Sequence, residues 1–131
     1  MVEVNDIAGL GAAFARFEAD GARAVLVGNH GLFRRESFRL VELSMQRRIP
    51  LVSPYPEARD AGALVSFVPD FEFWSRRAAV YVDRILAGAN AGELPVEQSI
   101  PSRYTLNLTT AARLGIKAPE HVIGRMDRVI R

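Results

Sequence analysis

The sequence holds no cysteine, a single lysine (Lys117) and only two histidines, His30 and His121, in 131 residues. Without cysteine there is no disulfide framework, no thiolate metal site and no cysteine nucleophile. The shortage of histidine starves most catalytic arrangements. No Gly-x-Ser-x-Gly turn is present for a serine hydrolase, and no His/Asp/Glu cluster has metal-ligand spacing. No apolar run approaches the roughly 20 residues that span a bilayer. The start, Met1-Val-Glu-Val-Asn-Asp6, is acidic and lacks the basic-then-apolar order of a secretory signal. For a complete gene product that start implies a cytoplasmic location. Charge of one sign is also scarce: 17 Lys+Arg face 15 Asp+Glu. Acids are interleaved with the arginines throughout, so no basic face marks a nucleic-acid partner.

What is present is a globular α/β pattern of one domain's length. Residues 5–20 carry Ile7, Leu10, Phe14 and Phe17 at helical spacing, with Asn5 or Asp6 to cap the start and Gly21 to end it. Residues 23–28 form a short apolar run that suits a buried parallel strand. Residues 32–47 return to helical period, with Phe33, Leu40, Val41 and Ser44 on one side and Phe38 and Met45 beside them. A strand follows over 49–53. The Pro-rich stretch 54–62 reads as a loop and a candidate hinge. A third strand is predicted over 63–68, and Asp70 caps a helix over 71–87 that ends at Gly88. Its buried stripe is expected to be Trp74, Ala78, Tyr81, Val82 and Ile85. Beyond a small-residue loop at 89–95, residues 96–99 and 103–108 read as extended. Thr109 or Thr110 then caps a short helix. Pro119 opens a final helix carrying Val122, Ile123, Met126 and Val129. The order α-β-α-β implies a layered fold with right-handed crossovers. The fold class is α/β, a Rossmann-like parallel sheet with flanking helices, with 1–131 as a single unit.

The best candidate site is Gly28-Asn29-His30-Gly31, at the carboxyl end of a predicted parallel strand, where ligands bind in open α/β sheets. The alternative is an ordinary strand-to-helix turn, with Asn and Gly present for their backbone angles. Tyr55 follows the second strand in the same topological position, and Ser66-Phe67 end the third. Each alone is more simply read as packing; three strand ends bearing such groups point together to a ligand crevice. Gly9-Leu-Gly11 mimics part of a dinucleotide fingerprint but lies inside a helix with no strand before it. The arginine pairs 34/35, 47/48 and 76/77 read as solvated helix faces.

From about residue 12 onward, a series of ordered stretches resembles a known family. They are Gly21-Ala-Arg-Ala-Val-Leu-Val27, Arg48-Ile-Pro-Leu-Val52, Asp60-Ala-Gly-Ala-Leu-Val-Ser-Phe67 and Arg77-Ala-Ala-Val-Tyr-Val-Asp-Arg-Ile-Leu-Ala-Gly88. Glu93-Leu-Pro-Val-Glu97, Tyr104-Thr-Leu-Asn107 and Thr110-Ala-Ala-Arg-Leu-Gly-Ile116 follow before Pro119. Each is weak alone; their order and spacing are specific. The chain resembles the C-terminal portion of ABC transporter substrate-binding proteins of the type I periplasmic-binding-protein fold, in the tryptophan/phenylalanine-binder branch. Where that family usually has Gly-Gly-Leu-Met-Ser-Tyr-Gly, this chain has Ala61-Gly-Ala-Leu-Val-Ser-Phe67-Val68, so a side chain at 68 narrows the cleft.

The resemblance implies a non-enzymatic binder of a small, amino-acid-like solute, working extracytoplasmically with an ABC permease and without cofactor or metal. It implies that residues 1–53 and 103–131 belong to a second lobe, that 63–95 cross to a first lobe, and that 54–62 lie at the hinge. Asn29 and His30 are then expected to hydrogen-bond polar solute groups, and Tyr55 and Phe67 to pack on its apolar part, with Ser66 beside them. It also implies that the helix at 71–87 lacks its native sheet. Because large exposed apolar patches drive association, a homo-oligomer is expected. The alternative function is an oligomeric interaction module that takes no small ligand.

Overall fold

The computed structural model describes residues 2–4, 6–97 and 101–131. The chain forms two compact units, one from residues 1–68 and 103–131, the other from 69–102.

The larger unit opens with α1 (Ala8–Ala19), whose Leu10, Ala13 and Phe14 are buried at i, i+3, i+4 spacing. Asp6 accepts the Gly9 N–H at 2.8 Å, and Gly21 closes the helix at φ +67°, a left-handed angle that glycine adopts without steric cost. Ile7, expected in the buried stripe, is 49% exposed because the helix starts one residue after it. Strands β1 (Val25–Leu26), β2 (Leu51–Ser53) and β3 (Val65–Pro69) are parallel, with Val25 opposite Leu51, Val52 opposite Val65 and Ser53 opposite Ser66.

The expected single helix over 32–47 is two, α2 (Gly31–Arg35) and α3 (Ser37–Gln46). Ser37 is fully buried, and its hydroxyl donates back to the Phe33 and Arg34 carbonyls at 3.0 and 2.8 Å. Such back-bonding competes with the helical ladder and bends the chain. The break leaves Phe38 exposed and Leu40, Val41, Leu43 and Ser44 buried. The stretch 54–62, expected as a loop, contains α4 (Pro56–Ala61), with Pro56 in the first turn and Gly62 at φ +104° as the terminator. Proline pre-sets the angle of a helix start, so here it opens a helix where the composition suggested a loop.

The sheet order is β1-β2-β3-β4-β5, with β4 (Ser102–Asn107) and β5 (Arg128–Ile130) parallel to each other. The Asn107 N–H donates to the Leu64 carbonyl, and within the smaller unit the Asp70 N–H donates to the Pro101 carbonyl, both at 2.9 Å. The end of β4 therefore lies beside the start of β3, and the β4–β5 pair runs against the first three strands. Helix α6 (Leu108–Arg113) is capped by Asn107, whose Oδ1 accepts the Thr110 N–H, and not by Thr109 or Thr110. Helix α7 stops after Glu120–Ile123, and the expected helical Val129 sits in β5 opposite Leu106. Asp127 makes that switch: its N–H donates to the Tyr104 carbonyl and its carboxylate accepts the Tyr104 N–H. The main core gathers Leu10, Phe14, Leu40, Val41, Leu51 and Ala58 between helices and sheet, and a smaller cluster forms around Leu64, Leu106 and Ala111.

The smaller unit is built on α5 (Phe71–Leu86), capped as expected by Asp70, whose carboxylate accepts the Phe73 N–H at 3.1 Å, and followed by Gly88 at φ +101°. A 3-10 turn spans Ala91–Glu93. The stripe expected to be buried is not: no residue of α5 is buried, and Trp74, Val82 and Ile85 are exposed. The Asp70 cap and the i, i+4 pair Glu72–Arg76 give the helix local support. The extended stretch expected at 96–99 falls partly outside the described residues.

Candidate functional site

The carboxyl ends of β1 and β2 bring two of the sequence-identified segments into contact. The chain leaves β1 through Gly28, Asn29 and His30, all exposed, and His30 in an extended conformation caps α2. Its Nδ1 accepts the Leu32 N–H at 3.2 Å, and its ring meets Phe33 edge-on at 5.9 Å between centroids. Beyond β2, Tyr55 is 6% exposed and its ring belongs to the main core. Its hydroxyl reaches back to the turn. It accepts the His30 N–H at 2.7 Å and lies 3.1 Å from the Gly28 carbonyl, 3.2 Å from Asn29 Oδ1 and 3.0 Å from the His30 carbonyl. A phenol has one proton for three acceptors, so Tyr55 gathers the turn around itself. The structure thus places Tyr55 under the turn as its anchor, with Asn29 and His30 above it.

Ser66 and Phe67 lie in β3. Ser66 is 1% exposed, level with Ser53, and its hydroxyl has no partner among the described residues. Ser53, not singled out in the sequence, is fully buried and accepts the Tyr55 N–H at 3.3 Å. Phe67 belongs to neither core cluster and is half-buried. Val68 is half-buried as well.

Charge beside the turn is arranged in pairs. Arg34 donates to Glu57 at 3.0 Å and Arg35 to Glu36 at 3.2 Å. The Glu57 carboxyl is held below the ordinary range, first by its own backbone N–H and then by Arg34. Its second oxygen is buried without a partner. Sequence reading passed over Glu57, although an acid in the first turn after a proline is a recognisable helix-start signal. Among the described residues no group of three His, Asp or Glu side chains could hold a metal, and no helix is long and apolar enough to cross a membrane.

The smaller unit has a groove of its own, about 360 Å³, lined by Trp74, Ala78, Tyr81, Ile85 and Leu94 and edged by the Arg77–Glu97 ion pair. Arg77 stacks over the Tyr81 ring at 5.9 Å, and its guanidinium holds the Glu97 carboxyl below the usual range. None of the sequence-identified site residues lines this groove.

The family profile described as ABC transporter substrate binding protein matches residues 4–130. The chain belongs to the ABC transporter substrate-binding protein family. Solved structures share the fold of this substrate-binding family member at low identity. A conserved domain protein from Vibrio cholerae O1 biovar El Tor superposes with a TM-score of 0.77 at 23% identity, covering 93% of this chain and 41% of that one. An ABC domain in complex with L-Trp from Streptococcus pneumoniae gives 0.79 at 20%, covering 97% and 44%. The ligand-free, open structure of a substrate binding protein with adhesive properties from Clostridium difficile gives 0.71 at 15%, covering 97% and 42%. The substrate-binding family member described here therefore spans about two-fifths of the length of those structures. No curated protein matches it.

Proposed function

We propose that the chain is the C-terminal portion of the solute-binding component of an ABC-type importer, taking a small amino-acid-like solute without catalysing any reaction. The observation that carries this reading is the Tyr55-anchored turn at the carboxyl ends of parallel strands, which offers Asn29 and His30 to solvent from a rigid base. Family membership supports solute binding, and the L-Trp in the streptococcal structure supports an amino acid as the class. In this reading Asn29 and His30 contact polar groups of the solute, and Phe67 its apolar part, with Ser66 behind. Residues 1–53 and 103–131 contribute to one lobe, 63–95 to the other, and 54–62 to the hinge between them. The partner is an ABC permease and the location is extracytoplasmic. The test is calorimetric titration of the protein with the common amino acids. Saturable binding by at least one is expected, weakened about tenfold by Asn29→Ala or His30→Ala, the loss of one good hydrogen bond to a charged group. Equal binding by both variants overturns the site.

A second reading, a homo-oligomeric interaction module with no small ligand, is favoured by one observation, the exposed apolar face of α5. A stable oligomer that binds no amino acid would favour it over the first.

A further inference from the structure

The smaller unit turns back on itself after α5. Gly88 takes a left-handed angle, φ +101°. Asn90 then opens the 3-10 turn at Ala91–Glu93, its side chain accepting the Gly92 N–H at 3.0 Å. Leu94 follows at φ −71° and ψ +138°, the extended geometry that a residue before proline favours. The arm 94–97 runs along α5, and the groove of about 360 Å³ lies between them. Trp74, Ala78, Tyr81 and Ile85 line it from the helix, Leu94 and Val96 from the arm.

Apolar packing holds this arm weakly, since Trp74 is 38% exposed, Ile85 43% and Val96 85%. Its polar ties are closer and lie at one rim. Arg77 donates to both oxygens of Glu97, from Nε at 2.9 Å and from Nη2, as a bidentate fork. The Tyr81 hydroxyl donates to the Pro95 carbonyl and lies 3.3 Å from Glu97 Oε1. Arg77 also stacks over the Tyr81 ring. Each of the three side chains therefore touches the other two. Arg77 and Tyr81 stand one turn apart, at i and i+4, so the helix itself sets the spacing of the two tethers. A lone surface ion pair contributes little to stability, and a bidentate pair inside a network is the exception.

We propose that residues 94–97 form a strap over the α5 groove, closed by a clasp of Arg77, Tyr81 and Glu97, and that releasing the clasp opens the groove. The floor of the groove is part of the apolar face of α5, so the strap sets how much of that face is presented. The device lies wholly within the smaller unit and is independent of the solute-binding reading.

Trp74 lines the groove and is the only tryptophan in the chain, so acrylamide quenching of its fluorescence reports the strap. Glu97→Gln removes the carboxylate charge at nearly constant size, and Arg77→Gln removes the fork from the other side. At pH 7 and low salt, each is expected to raise the open-to-closed ratio about fivefold, the top of the range for an exposed ion pair. The double variant should open no further than either single one, because both break the same tie. In the wild-type protein, sodium chloride alone should raise quenching as it screens the pair, with a much smaller response in Glu97→Gln. This salt arm needs no substitution, and far-UV circular dichroism confirms that α5 stays helical throughout. Glu72→Gln, which breaks the other ion pair of α5, should leave Trp74 quenching unchanged. Equal quenching in wild type and both variants would overturn the strap. So would additive effects in the double variant, a salt response undiminished in Glu97→Gln, or an equal change on Glu72→Gln.

Discussion

At the residue scale, Tyr55 is the position where chemistry and packing are easiest to confuse. An aromatic phenol after a parallel strand has the composition of a ligand contact. The structure buries its ring to 6% exposure and occupies its hydroxyl with the 28–30 turn. In the solute-binding reading proposed above, its influence on a ligand passes through Asn29 and His30, and Tyr55 is a positioning residue. Tyr55→Phe keeps the ring in the core and removes only the hydroxyl. It is expected to cost about 1 kcal/mol and to speed hydrogen exchange at the His30 amide, while exchange in α1 follows only the global change. An unchanged His30 exchange rate would show that the turn holds itself without the phenol.

At the element scale, three expected features changed for local, identifiable reasons. Ser37 split one helix into two, Pro56 opened a helix inside a presumed loop, and Asp127 diverted the last helix into a strand. The cap of α6 shows why such details escape a sequence. Asn107, Thr109 and Thr110 are all competent caps, and the choice among them depends on where β4 ends. That end is decided by pairing: Asn107 lies opposite Ile130 and donates to Leu64. Thr110 is then free to donate its hydroxyl to the Gly62 carbonyl at 2.8 Å. Asn107→Ala should lower stability by about 1 kcal/mol and Thr109→Ala, at an exposed position, by much less. Urea unfolding of the two variants compares them directly, and equal losses would mean that the cap is not where the energy lies.

At the scale of the whole molecule, the exposed face of α5 stands out. Phe71, Trp74, Val82, Ile85 and Leu86 are all exposed on one helix. Spaced at helical period, they would be core residues in most proteins. The favoured outcome is association of copies of this chain through that face. Light scattering behind a sizing column should show a dimer or larger species, shifted toward monomer by Trp74→Glu, which places a charge in the middle of the stripe. A monomeric wild-type protein would remove the homo-oligomer from consideration and with it the second functional reading.

How much of this was legible in advance follows the range of the forces involved. The sequence by itself determined what depends on neighbours along the chain. The α/β order, the Asp70 cap and Gly88 stop of α5, the glycine that ends α1 and the Asn29–His30 turn after a short apolar strand all rest on local sterics, capping and periodicity. The ordered motifs also sufficed to mark the family resemblance. Only the tertiary structure decided which way β4 and β5 run, whether a periodic apolar stripe is buried, and that Tyr55 anchors the turn from below. Those outcomes depend on groups far apart in the chain competing for the same strand edge, the same dry surface or the same hydroxyl. Periodicity reports that a face is apolar; it carries no record of what, if anything, covers it.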